Sequence, residues 1–270
     1  MTMNEIDTMR IRDGGAVSRT NGPGANPGTF PRDDSSPVLR AYLLGTVDWD
    51  SLLQMQRRLI YEVSGTKGTS AVLICEHPPS ITIGREGSRD HIRIEPACLA
   101  RWGWPVRWHA RGGGVMLHLP GQLACYPIVV LSQYGWTPAE YVQRLQAIAL
   151  ELLRSYGLSA SADPRCPGAV VSGRRIAHVG AAIRHGVTCF GLLVNVDPDL
   201  QPFHRVRCDG DDKPMTSLQR EIGSRFRISS VRQRLLEILQ QHLQTDRLSI
   251  FHTLPDLLPR PRHHVTITRS

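Results

Sequence analysis

Residues 173–183 read GRRIAHVGAAI and residues 187–196 read VTCFGLLVNV, with Arg184-His185-Gly186 between them. Two extended apolar runs joined by a short glycine-containing turn specify a β-hairpin. Downstream, Val231, Leu235, Ile238, Leu239 and His242 share one face of a helix over about 229–243. Upstream lies the clearest helix, residues 138–156. Thr137 suits the N-cap, Pro138 the first helical position and Glu140 the capping box. Val142, Leu145, Ile148, Ala149, Leu152 and Leu153 then recur at helical spacing, and Gly157 suits the stop. Still earlier, SAVLICEH is a short apolar strand, and PPSITIGREG turns into a second extended piece. VLRAYLLGTV opens the domain as a strand, and Asp48 or Asp50 caps a helix through LLQMQRRLIYEV. Hairpins outnumber βαβ units, so the expected class is α/β with a mixed, largely antiparallel sheet. No internal repeat is visible.

Residues 1–37 are rich in Gly, Pro, Asn, Ser and Asp, lack periodicity, and are expected to form a disordered extension. Residues 38–250 are expected to be one domain. Residues 251–270 form a basic tail in which Arg260, Arg262 and Arg269 follow the last acid, Asp256. The 270 residues are 41% hydrophobic but only 6% aromatic, enough for a sizeable, mostly aliphatic core. No apolar run reaches the ~20 residues of a membrane span, and nothing near the N-terminus resembles a signal peptide. A soluble, cytoplasmic globular protein is expected. The six cysteines, 75, 98, 125, 166, 189 and 208, form no CxxC pair, which argues against a zinc ribbon or thioredoxin-type motif, and without a signal peptide a disulfide framework is not expected. His77, His178, His185 and His204 show no metal-ligand spacing, so neither metal nor cofactor is expected. Net charge is +8, carried by 30 arginines and only two lysines, Lys67 and Lys213. Such a balance suits an acidic partner. Nucleic acid is not expected, because no recognition motif or interleaved aromatic platform is present.

Two segments have chemical potential. The first is RGGGVMLHLPGQLACYP, residues 111–127. Its glycines allow close backbone approach to a ligand, and their N–H groups suit a carbonyl or anion; a plain Gly-rich turn is the alternative. It is neither a P-loop nor a dinucleotide fingerprint. The second is FHRVRCDG, residues 203–210, where Cys208 sits among arginines. Nearby cations favour a thiolate and hence a nucleophile. An exposed structural cysteine is the alternative, and Asp209, Asp211 and Asp212 partly cancel the arginines.

Together these segments resemble the octanoyltransferase family of lipoate biosynthesis, over roughly residues 70–220. The family block EHPPVYTxGRxG is matched by Glu76 through Pro79, Thr82, Gly84, Arg85 and Gly87. RGGxxTxHGPGQL is matched by Arg111, Gly112, Gly113, His118 and Pro120 through Leu123, followed by Tyr126-Pro127. PGVWVxGRKIAxIG is matched by Pro167, Gly168, Val171, Gly173, Arg174, Ile176, Ala177 and Gly180. A last stretch is matched by Gly191, Leu192, Asn195, Val196, Asp199, Leu200, Phe203, Cys208 and Thr216 through Leu218. Departures cluster in these blocks. The family's catalytic lysine falls on Arg175, its threonine on Met116, the glycine after its histidine on Leu119, and a histidine on Phe190. The proline and glycine flanking the cysteine fall on Arg207 and Asp209.

The resemblance implies the fold of biotin and lipoyl protein ligases and a two-step transfer. Cys208 would take the octanoyl group from octanoyl-acyl carrier protein as a thioester. A lysine of a lipoyl domain, in 2-oxoacid dehydrogenase or glycine cleavage proteins, would then take it as an amide. Catalytic roles fall on Cys208 and Arg175. Substrate binding falls on Arg111, Gly112, Gly113, Gly114, Val115, Met116, Leu117, His118, His178, Val179, Gly180, Gly191, Leu192 and Leu193. Arg175 supplies charge but does not release its proton, so His118, His178 and Lys213 are the candidate bases. The alternative is a catalytically impaired relative that binds acyl groups or lipoyl domains. An ATP-using lipoate ligase fits less well, since that family's lysine and extra C-terminal domain are not found.

Overall fold

The computed structural model describes residues 37–253. The expected extension over residues 1–36 and the tail beyond residue 253 lie outside the described residues. The described elements run β1 (Val38–Thr46), α1 (Trp49–Gly65), β2 (Thr69–Glu76), β3 (Ser80–Ile83), α2 (Pro96–Trp102), β4 (Val106–Trp108), β5 (Val115–His118) and β6 (Gln122–Ile128). They continue with α3 (Pro138–Ser155), β7 (Ala160–Ala162), β8 (Gly168–Val171), β9 (Arg174–Arg184), β10 (Val187–Asn195), α4 (Leu218–Ile222), α5 (Ile228–His242) and β11 (Arg247–Phe251). Short 3₁₀ turns at Gln201–Arg205 and Cys208–Gly210 follow β10.

Eight strands form one sheet in the order β11-β1-β2-β6-β10-β9-β8-β7. The β1–β2 and β1–β11 pairs are parallel; the other pairs are antiparallel. The expected hairpin is β9–β10, with Val187 opposite Arg184. A second sheet of three strands, β4-β3-β5, stands beside the first. Helices α3 and α5 cover one face of the large sheet; α1 and the small sheet cover the other. Alternation along the strands serves both layers. In β2, Val72 and Ile74 face α3 and α5, whereas Leu73 and Cys75 face α1. Burial on both faces is why these strands are apolar runs rather than alternating ones.

Local signals hold where they are strong. The Asp48 side chain accepts from the Asp50 and Ser51 amides at the start of α1. At α3, Thr137 accepts from the Glu140 amide while Glu140 accepts from the Thr137 amide, the reciprocal capping box. Among the described residues, no helix is long and apolar enough to cross a membrane.

One irregularity positions the site. Ala177 pairs with Ala169, but Arg175 pairs with Val170, so Ile176 has no partner on β8. This β-bulge breaks the period of two. Ile176 and Ala177 both pack against the helical layer, and Arg175 and His178, three residues apart, both reach Asp209.

Candidate active site

Val179 and Ala181 pack in the helical layer, which turns His178 and Gly180 to the opposite face. There Arg111, Met116, His118, His178, Gly180, Gly191, Leu192 and Leu193 surround one small cavity with Trp49, Tyr126 and Phe190. Its volume, about 30 Å³, holds about one water. An eight-carbon chain enters only if these side chains move. Phe190 is the wall between this cavity and an outer cleft of about 180 Å³ that Leu53, Ile60, Trp108 and His109 help to line. Its ring meets Tyr126 edge-on at 6.2 Å, and its backbone is left-handed (φ 56°).

The Gly-rich loop clamps the cysteine loop. Gly114 donates its amide to Asp209 Oδ1 at 2.9 Å. A Cβ at Gly114 would stand 2.8 Å from Asp209 Cα, so only glycine allows this approach. Gly112 donates to the Ala181 carbonyl at 2.8 Å, and Gly113 to Glu86 Oε1 at 3.4 Å. These amides therefore hold protein partners rather than forming an open anion nest. Val115 and Leu117 are core residues facing α1, and Val179 belongs to the helix-side core. The Leu117 amide is directed at the Cys208 sulfur.

Cys208 is fully buried. Burial pushes its thiol up to about 12; the Leu117 amide pulls it down, Asp209 pushes it up, and Arg175 and Arg111 pull it down more weakly. The expectation of an arginine-lowered thiol is corrected: desolvation wins, and the nearest arginine is committed elsewhere. Arg175, 1% exposed, donates to Asp163 Oδ2 from Nε (3.2 Å) and Nη2 (2.6 Å). It also reaches Asp209 and Asp211 at 3.4 Å and the Cys166 sulfur at 2.7 Å. What it gives Cys208 is a bond to the backbone carbonyl at 3.4 Å. Lys213 Nζ donates to the same Asp163 oxygen at 2.7 Å. Burial opposes the Asp163 charge, yet the bonds from Lys213 and Arg175 hold its carboxyl well below the usual range.

Around the cavity, Arg111 Nη2 donates to Thr82 Oγ1 at 2.8 Å, and Thr82 Oγ1 lies 2.9 Å from His118 Nε2. His178 Nδ1 lies 2.9 Å from Asp209 Oδ2. Burial, ahead of every other influence, keeps both imidazoles below their ordinary pKa. His118 Nδ1 and His178 Nε2 are buried without a hydrogen-bond partner among the described residues.

The sequence reading missed Asp163, Cys166, Trp49 and Tyr126. Asp163 and Cys166 flank Pro164-Arg165, and only their position before the PG of the third block pointed to them. No group of three or more metal-ligating side chains occurs among the described residues.

The lipoyl protein ligase A/B catalytic domain matches residues 50–240. An octanoyltransferase of Chloroflexus aggregans is 38% identical over 206 residues, 75% of this chain and 93% of the relative. The mitochondrial octanoyltransferase LIP2 of Arabidopsis thaliana is 34% identical over 189 residues, 69% of this chain and 80% of the relative. A putative lipoate protein ligase from T. acidophilum with bound lipoic acid superposes with TM-score 0.64 at 16% identity, covering 80% of this chain and 90% of that one. Lipoate-protein ligase A bound with ATP superposes with TM-score 0.60 at 15% identity, covering 78% and 89%. At those identities the superpositions show a common fold.

Proposed function

The chain belongs to the octanoyltransferase family and transfers octanoyl groups in protein lipoylation, and we propose that it does so through a thioester on Cys208. The carrying observation is the docking of Cys208: its neighbour Asp209 is bonded to Gly114 of the Gly-rich loop, and its sulfur faces the Leu117 amide. An amide directed at sulfur stabilises the thiolate as it forms and again as it leaves in the second step.

In the first half-reaction the Cys208 sulfur attacks the octanoyl thioester of an acyl carrier protein, and the carrier thiol leaves. In the second, the neutral amine of a lipoyl-domain lysine attacks the octanoyl-cysteine; a C–N bond forms, the C–S bond breaks, and Cys208 is restored. The acceptors would be the lipoyl domains of 2-oxoacid dehydrogenase or glycine cleavage proteins, in the cytoplasm. A net charge of +8 suits docking of an acidic carrier. The acyl chain lies along Met116, Leu119 and Leu193, where burial contributes about 0.8 kcal/mol per CH₂, after Phe190 yields. Arg175 acts as a fixed cation that ties Asp163, Asp209 and Asp211 to the Cys208 carbonyl.

Turnover of an octanoyl carrier thioester and a lipoyl domain tests this reading. Cys208→Ser should abolish transfer, whereas Cys166→Ser should retain at least a tenth of it. Transfer by Cys208→Ser would refute the assignment. Wild type that holds the acyl group but never passes it on would favour the impaired-relative reading.

A further inference from the structure

We infer that His178, held by Asp209, is the proton acceptor of the amide-forming step, in the role the Arg175 guanidinium cannot fill. The inference rests on the thioester route above. The bulge at Ile176 brings His178 onto the face of Asp209, the residue next to Cys208.

Asp209 carries the geometry. Its backbone is left-handed (φ 53°, ψ 26°), a conformation that side-chain-bearing residues rarely adopt. In that conformation one carboxylate oxygen takes the Gly114 amide and the other faces His178 Nδ1 at 2.9 Å. Burial opposes the Asp209 charge, but the His178 hydrogen bond, the Gly114 amide and Arg175 keep it ionised. An ionised carboxylate only accepts, so Nδ1 carries the proton and Nε2 presents its lone pair. Nε2 has no hydrogen-bond partner among the described residues, and His178, 2% exposed, lines the cavity. A carboxylate, an imidazole and a neighbouring sulfur nucleophile are the parts of a base-activated acyl-transfer site.

The other candidates fit less well. Lys213 is bonded to Asp163. His118 bonds to Thr82 Oγ1 through Nε2, has no carboxylate partner among the described residues, and faces His77, Arg111, His109 and His178. The charged and titratable groups around His178 are Asp209, Arg175, Arg111 and His118; Asp209 favours its protonated form and the two arginines oppose it.

As the lysine amine forms its bond to the octanoyl carbon, its proton passes to His178 Nε2. The electron pair of the breaking C–S bond leaves on Cys208 sulfur. His178 then returns the proton to that sulfur, which regenerates thiol and neutral imidazole.

Single-turnover experiments separate the steps: octanoyl thioester is loaded onto Cys208 first, then chased with a lipoyl domain across pH 5–9. His178→Gln should slow the chase by about 10²–10⁴-fold and remove the part of its acid limb that titrates with the imidazole, leaving the rise set by deprotonation of the lipoyl-domain lysine. Asp209→Asn should slow it less and shift the acid limb to lower pH, because the support for the imidazolium is lost. A His178→Gln chase at the wild-type rate, or one slowed with the imidazole part of its acid limb intact, overturns the inference. Failure of wild type to load Cys208 would instead overturn the thioester route, and this inference with it. Independently of activity, imidazole ¹⁵N shifts of the wild-type protein should show the Nδ1–H tautomer of His178 at pH 7; the Nε2–H tautomer would contradict it.

Discussion

Asp163→Asn removes one charge from the most enclosed ion pair near the site. The Asp163 carboxylate is inaccessible and Arg175 is 1% exposed, with Nη2 at 2.6 Å and Lys213 Nζ at 2.7 Å from the same oxygen. Deleting one partner of a buried pair costs about 3–5 kcal/mol, because the other charge stays buried. Asp209 and Asp211 remain 3.4 Å from the guanidinium and compensate in part, so we expect ~3 kcal/mol, at the low end of that range. With a urea slope of ~2–3 kcal/mol/M for a domain of this size, the midpoint should fall by about 1–1.5 M. The pH dependence has a definite sign. Asp163 is held below its unfolded pKa, so its contribution is complete above about pH 4 and lost as pH falls toward the folded value. The gap between wild type and variant should be constant from pH 5 to 8 and narrow below 4. A midpoint within about 0.2 M of wild type, or a gap that widens on acidification, would refute this account of the network.

Cys208, with its thiol near 12, should be about 10⁻⁵ thiolate at pH 7; native-state alkylation should be slow and rise about tenfold per pH unit to pH 9, and labelling at the rate of the unfolded chain would contradict its burial. Phe190→Ala should join the inner cavity to the outer cleft and raise kcat/KM for a dodecanoyl over an octanoyl thioester by several-fold; an unchanged ratio would show that Phe190 is not the wall. Thr137→Ala should cost about 1 kcal/mol of stability by removing the hydroxyl that accepts from the Glu140 amide, read as a lower urea midpoint at unchanged slope.

Elements whose signal is local were legible in the sequence. The β9–β10 hairpin, the capped helix α3 and the apolar stripe of α5 follow from spacing, turn residues and caps within a few positions of one another. β11 was not, because Arg247–Phe251 is a short strand whose pairing, among the described residues, is with β1, some two hundred residues earlier. Most of the residues that line the cavity fall in the four sequence blocks, but their arrangement depends on geometry that spacing does not encode. Strict alternation would put Arg175 and His178 on opposite faces, and the bulge at Ile176 reverses that. FHRVRCDG has the composition of an exposed loop, yet Gly114 and Leu117 draw Cys208 fully inside. The arginine charge that seemed available to the sulfur is taken by Asp163, which lies 45 residues before Cys208 in the chain.

The most direct measurement is rapid-quench intact mass of the full chain mixed with octanoyl-acyl carrier protein, followed by peptide mapping. A gain of about 126 Da, an octanoyl group replacing hydrogen, should appear within one turnover on the peptide holding Cys208. It should disappear on addition of a lipoyl domain, as the domain gains the same mass on its lysine. A domain that gains the octanoyl group while Cys208 is never acylated, or an adduct confined to Cys166, would contradict the account.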